Sequence, residues 1–256
     1  MESVLQNCTG VIEEPYPHII IKDALSPEYY QALYESLPSW QQIIPDKFHH
    51  LSNKRGNLPW FKVVEGDYPQ IWKDFVQYHV STEFYEEFLY WFEPYIIEQL
   101  PLVEKQYGRL EDLPLKKKTR TNNSPFCQDV MISATTPVKE LSSVRGKHID
   151  GLNKLSAGLF YMKNPNDNAG GNLEIYECSG VGTFDTKNKW SNMSYPSEKK
   201  VGEVEYAPNT FVMLLNTKKS LHAVTQRQPT NESRTFVNFH GQFDRPIIQP
   251  DTRASR

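Results

Sequence analysis

The sequence predicts a mainly β protein with α-helical support, a jelly roll braced by N-terminal helices. Three observations predict it. Helical spacing is confined to the first half, where Trp72, Phe75 and Tyr78, then Phe84, Phe88 and Trp91, recur three or four apart between Asp67 and Leu100. Beyond residue 124 that period disappears, and short apolar runs alternate with turn residues. The length of 256 residues has room for one catalytic core of barrel or sandwich size, 1–256 taken as a single unit.

The elements follow in chain order. The β-branched run 16–22 reads as a strand, with His18 at its mouth as a structural histidine. Ser26 followed by Pro27 and Glu28 caps a helix that reaches about Leu37. The polar stretch 49–60 reads as a loop. Its adjacent His49 and His50 point opposite ways on an extended chain and do not share a metal easily; contact with a substrate stays open. Two helices in series fill 67–100, with a break and new cap at Ser81 or Thr82, and their aromatic stripe is suited to cover the outer face of a sheet. Residues 101–124 form a charged connector that closes the N-terminal part, 1–124.

The β-rich part, 125–243, contains eight short runs: 128–133, 147–150, 156–163, 172–176, 201–206, 210–215, 221–226 and 234–242. Eight such strands suggest a jelly roll. The turns between them, including 164–171, 207–209 and 229–232, supply the Gly, Asn and Pro that left-handed or fixed-φ positions need. The stretch 178–200 is longer and more polar than a connection requires. It is either a lid carrying Trp190, Met193 and Tyr195 or a loop anchored by them. Residues 244–256 read as a tail.

Composition limits the functional classes. Twenty-eight basic residues against 31 acidic ones give a net charge of −3, and the one basic run, Lys116-Lys117-Lys118-Thr119-Arg120, reads as a solvated loop. A duplex nucleic-acid partner is therefore not expected. Three separated cysteines, Cys8, Cys127 and Cys178, point to a reducing compartment. With neither a signal sequence nor an apolar run of the ~20 residues that span a bilayer, the expectation is a soluble cytoplasmic protein without a membrane partner.

The chemistry concentrates in Gly146-Lys147-His148-Ile149-Asp150-Gly151. Residues two apart on an extended segment project together, so His148 and Asp150 offer an imidazole and a carboxylate to one point. His222, in Leu221-His222-Ala223-Val224, supplies the second imidazole of a two-histidine, one-carboxylate facial set, which suits non-haem Fe(II) and leaves positions open. Arg234 lies twelve residues on, at the head of an apolar run, and its planar fork is matched to a carboxylate. Along a regular strand Arg234, Phe236, Asn238 and His240 share one orientation, so Asn238 and His240 face the same interior. Each has an ordinary alternative as a core or structural residue; order and spacing together favour the site.

This order, His-x-Asp, a distant His on a Leu-His-x-Val run and an Arg on the next strand, resembles the 2-oxoglutarate and Fe(II)-dependent oxygenases, in particular their prolyl-hydroxylase-like branch. The resemblance covers about residues 127–243 and includes Gly170-Gly171-Asn172-Leu173, read as a structural turn and strand. It implies a distorted double-stranded β-helix, with Fe(II) held by His148, Asp150 and His222, and 2-oxoglutarate as cosubstrate anchored by Arg234. Tyr161 occupies the place of a tyrosine that hydrogen-bonds the far carboxylate, and Asn238 and His240 line the cosubstrate or substrate pocket. The implied reaction consumes O2, with ascorbate as a further cofactor, and hydroxylates a substrate while releasing succinate and CO2. Asp150 is the carboxylate that halogenating relatives lack, which disfavours halogenation. The leaning among substrates is to an amino-acid or peptidyl residue, including prolyl; a glycan or small metabolite also fits. The competing expectations are a cupin-like metal enzyme without 2-oxoglutarate and a non-enzymatic jelly-roll binding module.

Overall fold

A computed structural model describes residues 1–113, 115–117, 125–180, 182–184 and 193–249, with backbone alone at 115–117, 183–184 and 193–194. The N-terminal part contains β1 (His18–Ile21), α1 (Pro27–Glu35), α2 (Trp40–Ile43), β2 (Arg55–Pro59), α3 (Trp60–Glu65), α4 (Gln70–Tyr78), α5 (Thr82–Gln99) and α6 (Pro101–Tyr107). The remainder is β3 (Leu115–Lys117), β4 (Phe126–Thr135), β5 (Lys154–Tyr161), β6 (Leu173–Ser179), β7 (Thr183–Phe184), β8 (Met193–Ser194), β9 (Ser197–Val204), β10 (Phe211–Leu215), β11 (His222–Val224) and β12 (Thr235–Phe243).

Among the described residues these strands make a large sheet of order β1-β10-β5-β12-β4-β2, with β3 beside β4, a smaller sheet β11-β6-β9, and the pair β7-β8. All pairings are antiparallel except β3 with β4. The period of two sorts the central strands into two faces. On β12, Val237 and Phe239 join the cluster built with the helices, and Phe236 joins the one shared with the smaller sheet. On β10, Phe211 and Met213 face the helices, whereas Val212 and Leu214 face Leu173, Ile175 and Val204 of β6 and β9. The large sheet is therefore covered by helices on one side and by the small sheet on the other.

The helices form where their caps and stripes place them. The Ser26 hydroxyl accepts from the Tyr29 amide at the start of α1, and Ser81 accepts from Phe84 at the break between α4 and α5. The aromatic stripe packs as its spacing requires: Phe75 sits 6.0 Å from Phe160 and 6.5 Å from Phe239, and Phe84 5.8 Å from Phe239, between ring centroids. Phe239 is 2 % exposed, so truncating it to alanine costs about 3–5 kcal/mol.

Four expectations change. The 49–60 loop contains an edge strand, β2, paired with β4 through Arg55↔Thr135 to Pro59↔Met131. Its Gly and Pro hide it from a propensity reading, and an open edge of β4 recruits it. The 101–124 connector holds α6 and β3. The 147–150 run makes a single bridge, His148↔His222, in place of a strand. The tail is docked as far as Ile248: Ile247 and Ile248 are 2 % exposed, and both amides donate to the Leu152 carbonyl. The stretch 178–200 is shortened by β6 and β9, and residues 181 and 185–192, including Trp190, lie outside the described residues; so does the 118–120 part of the basic run. Tyr195 is buried with Ile149, Cys178 and Leu221. Among the described residues no helix is long and apolar enough to cross a membrane.

Candidate metal centre

The bridge between His148 and His222 builds the centre. Each backbone amide donates to the other's carbonyl at 2.9 Å, and the two rings stand 4.2 Å apart between centroids. Both rings are fixed in the same way. His148 Nδ1 donates to the Gly146 carbonyl and His222 Nδ1 to the Ser220 carbonyl, each at 2.8 Å. A carbonyl only accepts, so the proton sits on Nδ1 and the Nε2 lone pair is free on both rings.

Asp150 completes the group. One ligand atom from each of His148, Asp150 and His222 lies within 4.8 Å of the others, and Asp150 Oδ1 is 3.9 Å from His148 Nε2. Asn216, fully buried, braces this corner. Its Oδ1 accepts from the Asp150 amide (3.1 Å), and its Nδ2 donates to the carbonyls of Gly151 (2.9 Å) and Lys154 (3.0 Å). His148 and Asp150 reach one point without a strand, with the His222 bridge holding one residue and Asn216 the other.

The electrostatics suit a cation. Burial, reinforced by the charge of His222, lowers His148 to about 3, and burial lowers His222 as well, so both rings are neutral near pH 7. Burial resists ionisation of Asp150, but the Lys154 ammonium 3.5 Å away, with the neighbouring imidazoles, holds the carboxyl well below its usual range. Two neutral imidazoles and one carboxylate are the donor types that a divalent transition metal takes.

Arg234 lies at another wall of the same cavity, which has a volume of about 420 Å³ and is also lined by His148, Asp150, His222, Asn238 and His240. Grooves of about 640 and 600 Å³ lie elsewhere, and neither contains the three-donor group. Arg234 is 1 % exposed, its guanidinium packed among the rings of Phe236 (4.6 Å), Tyr206 (4.9 Å) and Tyr161 (5.3 Å). Its Nε donates to the Gly171 carbonyl at 2.8 Å. Nη2 is buried with no hydrogen-bond partner among the described residues, and neither has the Tyr161 hydroxyl. Burial raises the Tyr161 pKa, keeping it a protonated donor despite Arg234. A buried, incompletely satisfied guanidinium beside an unsatisfied hydroxyl fits the far carboxylate of a small dicarboxylate.

The parity expectation for β12 holds, since Arg234, Phe236, Asn238 and His240 all line the cavity. With its amide nitrogen donating to the Gly158 carbonyl (3.1 Å), Asn238 accepts through oxygen from His240 Nε2 (3.0 Å) and from Arg55. His240 Nδ1 meets Lys154 Nζ at 3.2 Å. Gly171 is more than a turn. A Cβ there would lie 2.8 Å from Arg234 Cδ, and its φ of +94° is one that glycine tolerates.

Sequence reasoning missed Arg55, Lys154 and Asn216. Arg55 belongs to the unforeseen edge strand, and Asn216 acts through a turn. Lys154 lies four residues after Asp150, a spacing that offers a weak signal.

No family model matches the chain, and no curated protein matches it. Solved structures do. The chain is similar to a Pseudomonas putida prolyl-4-hydroxylase at 12 % identity and a TM-score of 0.43, covering 88 % of this chain and 92 % of that one. It is similar to HygX from Streptomyces hygroscopicus with nickel, 2-oxoglutarate and hygromycin B bound, at 10 % identity and 0.41, covering 88 % and 82 %. A third is the Trichoplax adhaerens prolyl hydroxylase in complex with a hypoxia inducible factor peptide fragment, at 13 % and 0.37, covering 89 % and 83 %. These neighbours are prolyl hydroxylases and a protein holding a metal with 2-oxoglutarate.

Proposed function

We propose that the chain is an Fe(II)- and 2-oxoglutarate-dependent dioxygenase that hydroxylates an amino-acid or peptidyl substrate, with the two sheets forming the distorted double-stranded β-helix. One observation carries the reading: a single cavity joins three converging metal donors to a buried, partly unsatisfied guanidinium beside an unsatisfied tyrosine hydroxyl. His148, Asp150 and His222 would hold the metal, and Arg234 with Tyr161 would take the far carboxylate of 2-oxoglutarate. Bound together, the ferrous ion and the keto acid supply the oxidising power that lets O2 hydroxylate a C–H bond with release of succinate and CO2.

The chain's own residues do the positioning. Nδ1 donation to Gly146 and Ser220 orients both imidazoles, Asn216 fixes Asp150, and Gly171 lets Arg234 reach its place. Leu173, Val212, Leu214 and Phe236 make an apolar wall that limits water. Asn238 and His240 line the remaining polar side. Convergence of the three donors speaks against a jelly-roll binding module, in which they would not meet.

The test is anaerobic titration with Fe(II) and then 2-oxoglutarate, followed by admission of oxygen. A metal-to-ligand charge-transfer band and subsequent succinate release are expected in the parent protein. Asp150→Ala should lose iron, and Arg234→Ala should keep iron while losing affinity for the keto acid. Full turnover in either variant overturns the assignment; metal-dependent turnover indifferent to 2-oxoglutarate would identify the cupin-like alternative.

A further inference from the structure

The cavity carries more positive charge than the proposed metal and cosubstrate neutralise. Arg55, Arg145, Lys154 and Arg234 line it against one carboxylate, Asp150. The charges of a divalent ion and of a dicarboxylate cancel, so the loaded site keeps an excess of three positive charges from its side chains. Lys154 is engaged within the metal corner, facing Asp150 and His240. Arg234 is assigned to the keto acid. Arg55 and Arg145 remain.

Arg55 is a positioned cation held by neutral acceptors. Its Nε donates to Asn57 Oδ1 at 3.1 Å, Nη2 donates to Ser133 Oγ at 3.4 Å and to the Asn238 oxygen, and the guanidinium sits 5.0 Å over the Phe236 ring. Ser133 in turn donates to Asn57 at 2.8 Å. Burial and the like charge of Arg234 act against its charge, Asp150 offsets them in part and Arg145 adds a smaller repulsion, and among the described residues no carboxylate forms an ion pair with it. Arg145 is half-buried, three residues before His148, and its side chain has no hydrogen bond or ion pair among the described residues. Two guanidiniums held toward one part-buried space repel each other until an anion lies between them. A neutral substrate would leave that repulsion in place.

We infer that the primary substrate is a small free acid whose oxyanion, a carboxylate or a phosphate, is bound by Arg55 and Arg145 in the cavity that both line. This rests on the oxygenase reading of the site and narrows its substrate class. A volume of about 420 Å³ accommodates a cosubstrate and a small molecule, as usual for ligand cavities of ~300–1,000 Å³. The Arg55 fork already spends Nε and Nη2 on the protein, so its remaining hydrogens, with those of Arg145, set the direction from which the anion is held.

The experiment has two stages on the full chain. First, calorimetry measures binding of Zn(II), a redox-inert probe, and then of 2-oxoglutarate. Second, the loaded protein is titrated with small carboxylic acids, each beside its primary amide, and with phosphate monoesters, each beside its parent alcohol. Saturable binding of acids or phosphate esters, but not of their neutral partners, is expected. Arg55→Gln and Arg145→Gln should each weaken it by at least about tenfold while 2-oxoglutarate still binds, and Arg55→Lys should restore part of the loss. The acid and ester arms identify which oxyanion is preferred. If no anion binds the loaded protein, if amides and alcohols bind equally well, or if both glutamine variants bind anions like the parent, the inference is wrong while the oxygenase reading stands. Failure of the metal or of 2-oxoglutarate to bind in the first stage removes that reading, and the inference with it.

Discussion

Two buried arginines beside Gly171 differ in how the protein satisfies them, one spent on internal partners and the other left with an unsatisfied end. Arg227 and Arg234 are 0 % and 1 % exposed, and a Cβ at Gly171 would press on both. Arg227 spends its terminal nitrogens inside the protein. Nη1 donates to the Gly170 carbonyl (2.8 Å), and Nη2 to Asp167 (3.0 and 3.2 Å) and the Glu232 carbonyl (3.1 Å), leaving only Nε unpartnered. Arg234 shows the reverse: Nε is satisfied by Gly171, Nη2 is bare, and its surroundings are aromatic rings instead of a carboxylate. Equal burial thus conceals opposite hydrogen-bonding patterns. The end of the guanidinium that is left unsatisfied tells them apart.

Removing the acid from the first arginine should have the largest effect on stability. Asp167→Ala strands a buried charge and is expected to cost about 3–5 kcal/mol, seen as a lower denaturant midpoint at unchanged slope. The matching change at the second site should divide the other way. Arg234→Met keeps stability within about 1 kcal/mol of the parent, because no ion pair is broken, yet weakens 2-oxoglutarate about 100-fold, equivalent to about 3 kcal/mol. A stability loss as large as that of Asp167→Ala would erase the contrast.

Gly171→Ala tests the shared support. The positive φ and the close approach to Arg234 should cost about 1–3 kcal/mol of stability, together with a fall in keto-acid affinity that iron binding does not share. The smallest effect should come from the tyrosines beside Arg234. The Tyr206 hydroxyl is satisfied, donating to the Thr235 carbonyl (3.1 Å) and accepting from its amide (2.9 Å), whereas the Tyr161 hydroxyl has no partner among the described residues. Tyr206→Phe should therefore lower stability by about 1 kcal/mol and spare 2-oxoglutarate. Tyr161→Phe should leave stability unchanged or slightly raised and weaken 2-oxoglutarate about fivefold. Calorimetry of the two variants side by side would show equal affinity for 2-oxoglutarate if neither hydroxyl serves the cosubstrate.

Much of the site was legible because its residues obey local rules. His148 and Asp150 are two apart on an extended segment, and Arg234, Asn238 and His240 keep the parity of an interior strand whose opposite face is Val237 and Phe239. Helices α1, α4 and α5 were legible from caps at Ser26 and Ser81 and from aromatic spacing, whereas α2, α3 and α6 were not. Arg55 was hidden for a physical reason. The run Arg55–Pro59 has no intrinsic strand preference and becomes β2 only because β4 offers it an edge. Ile247 and Ile248, placed in a tail by position, are buried because Leu152 presents a carbonyl to both amides.

The order of imidazole, carboxylate, imidazole and guanidinium, and the side of the chain on which each projects, belongs to the sequence, because alternation and capping act over a few residues. Whether His148 meets His222, which arginine is left unsatisfied, and that Arg55 joins the cavity wall are decided only by tertiary structure. Pairing across 74 positions between the two histidines, and recruitment of an edge strand, depend on which surfaces the packed sheets leave exposed to each other.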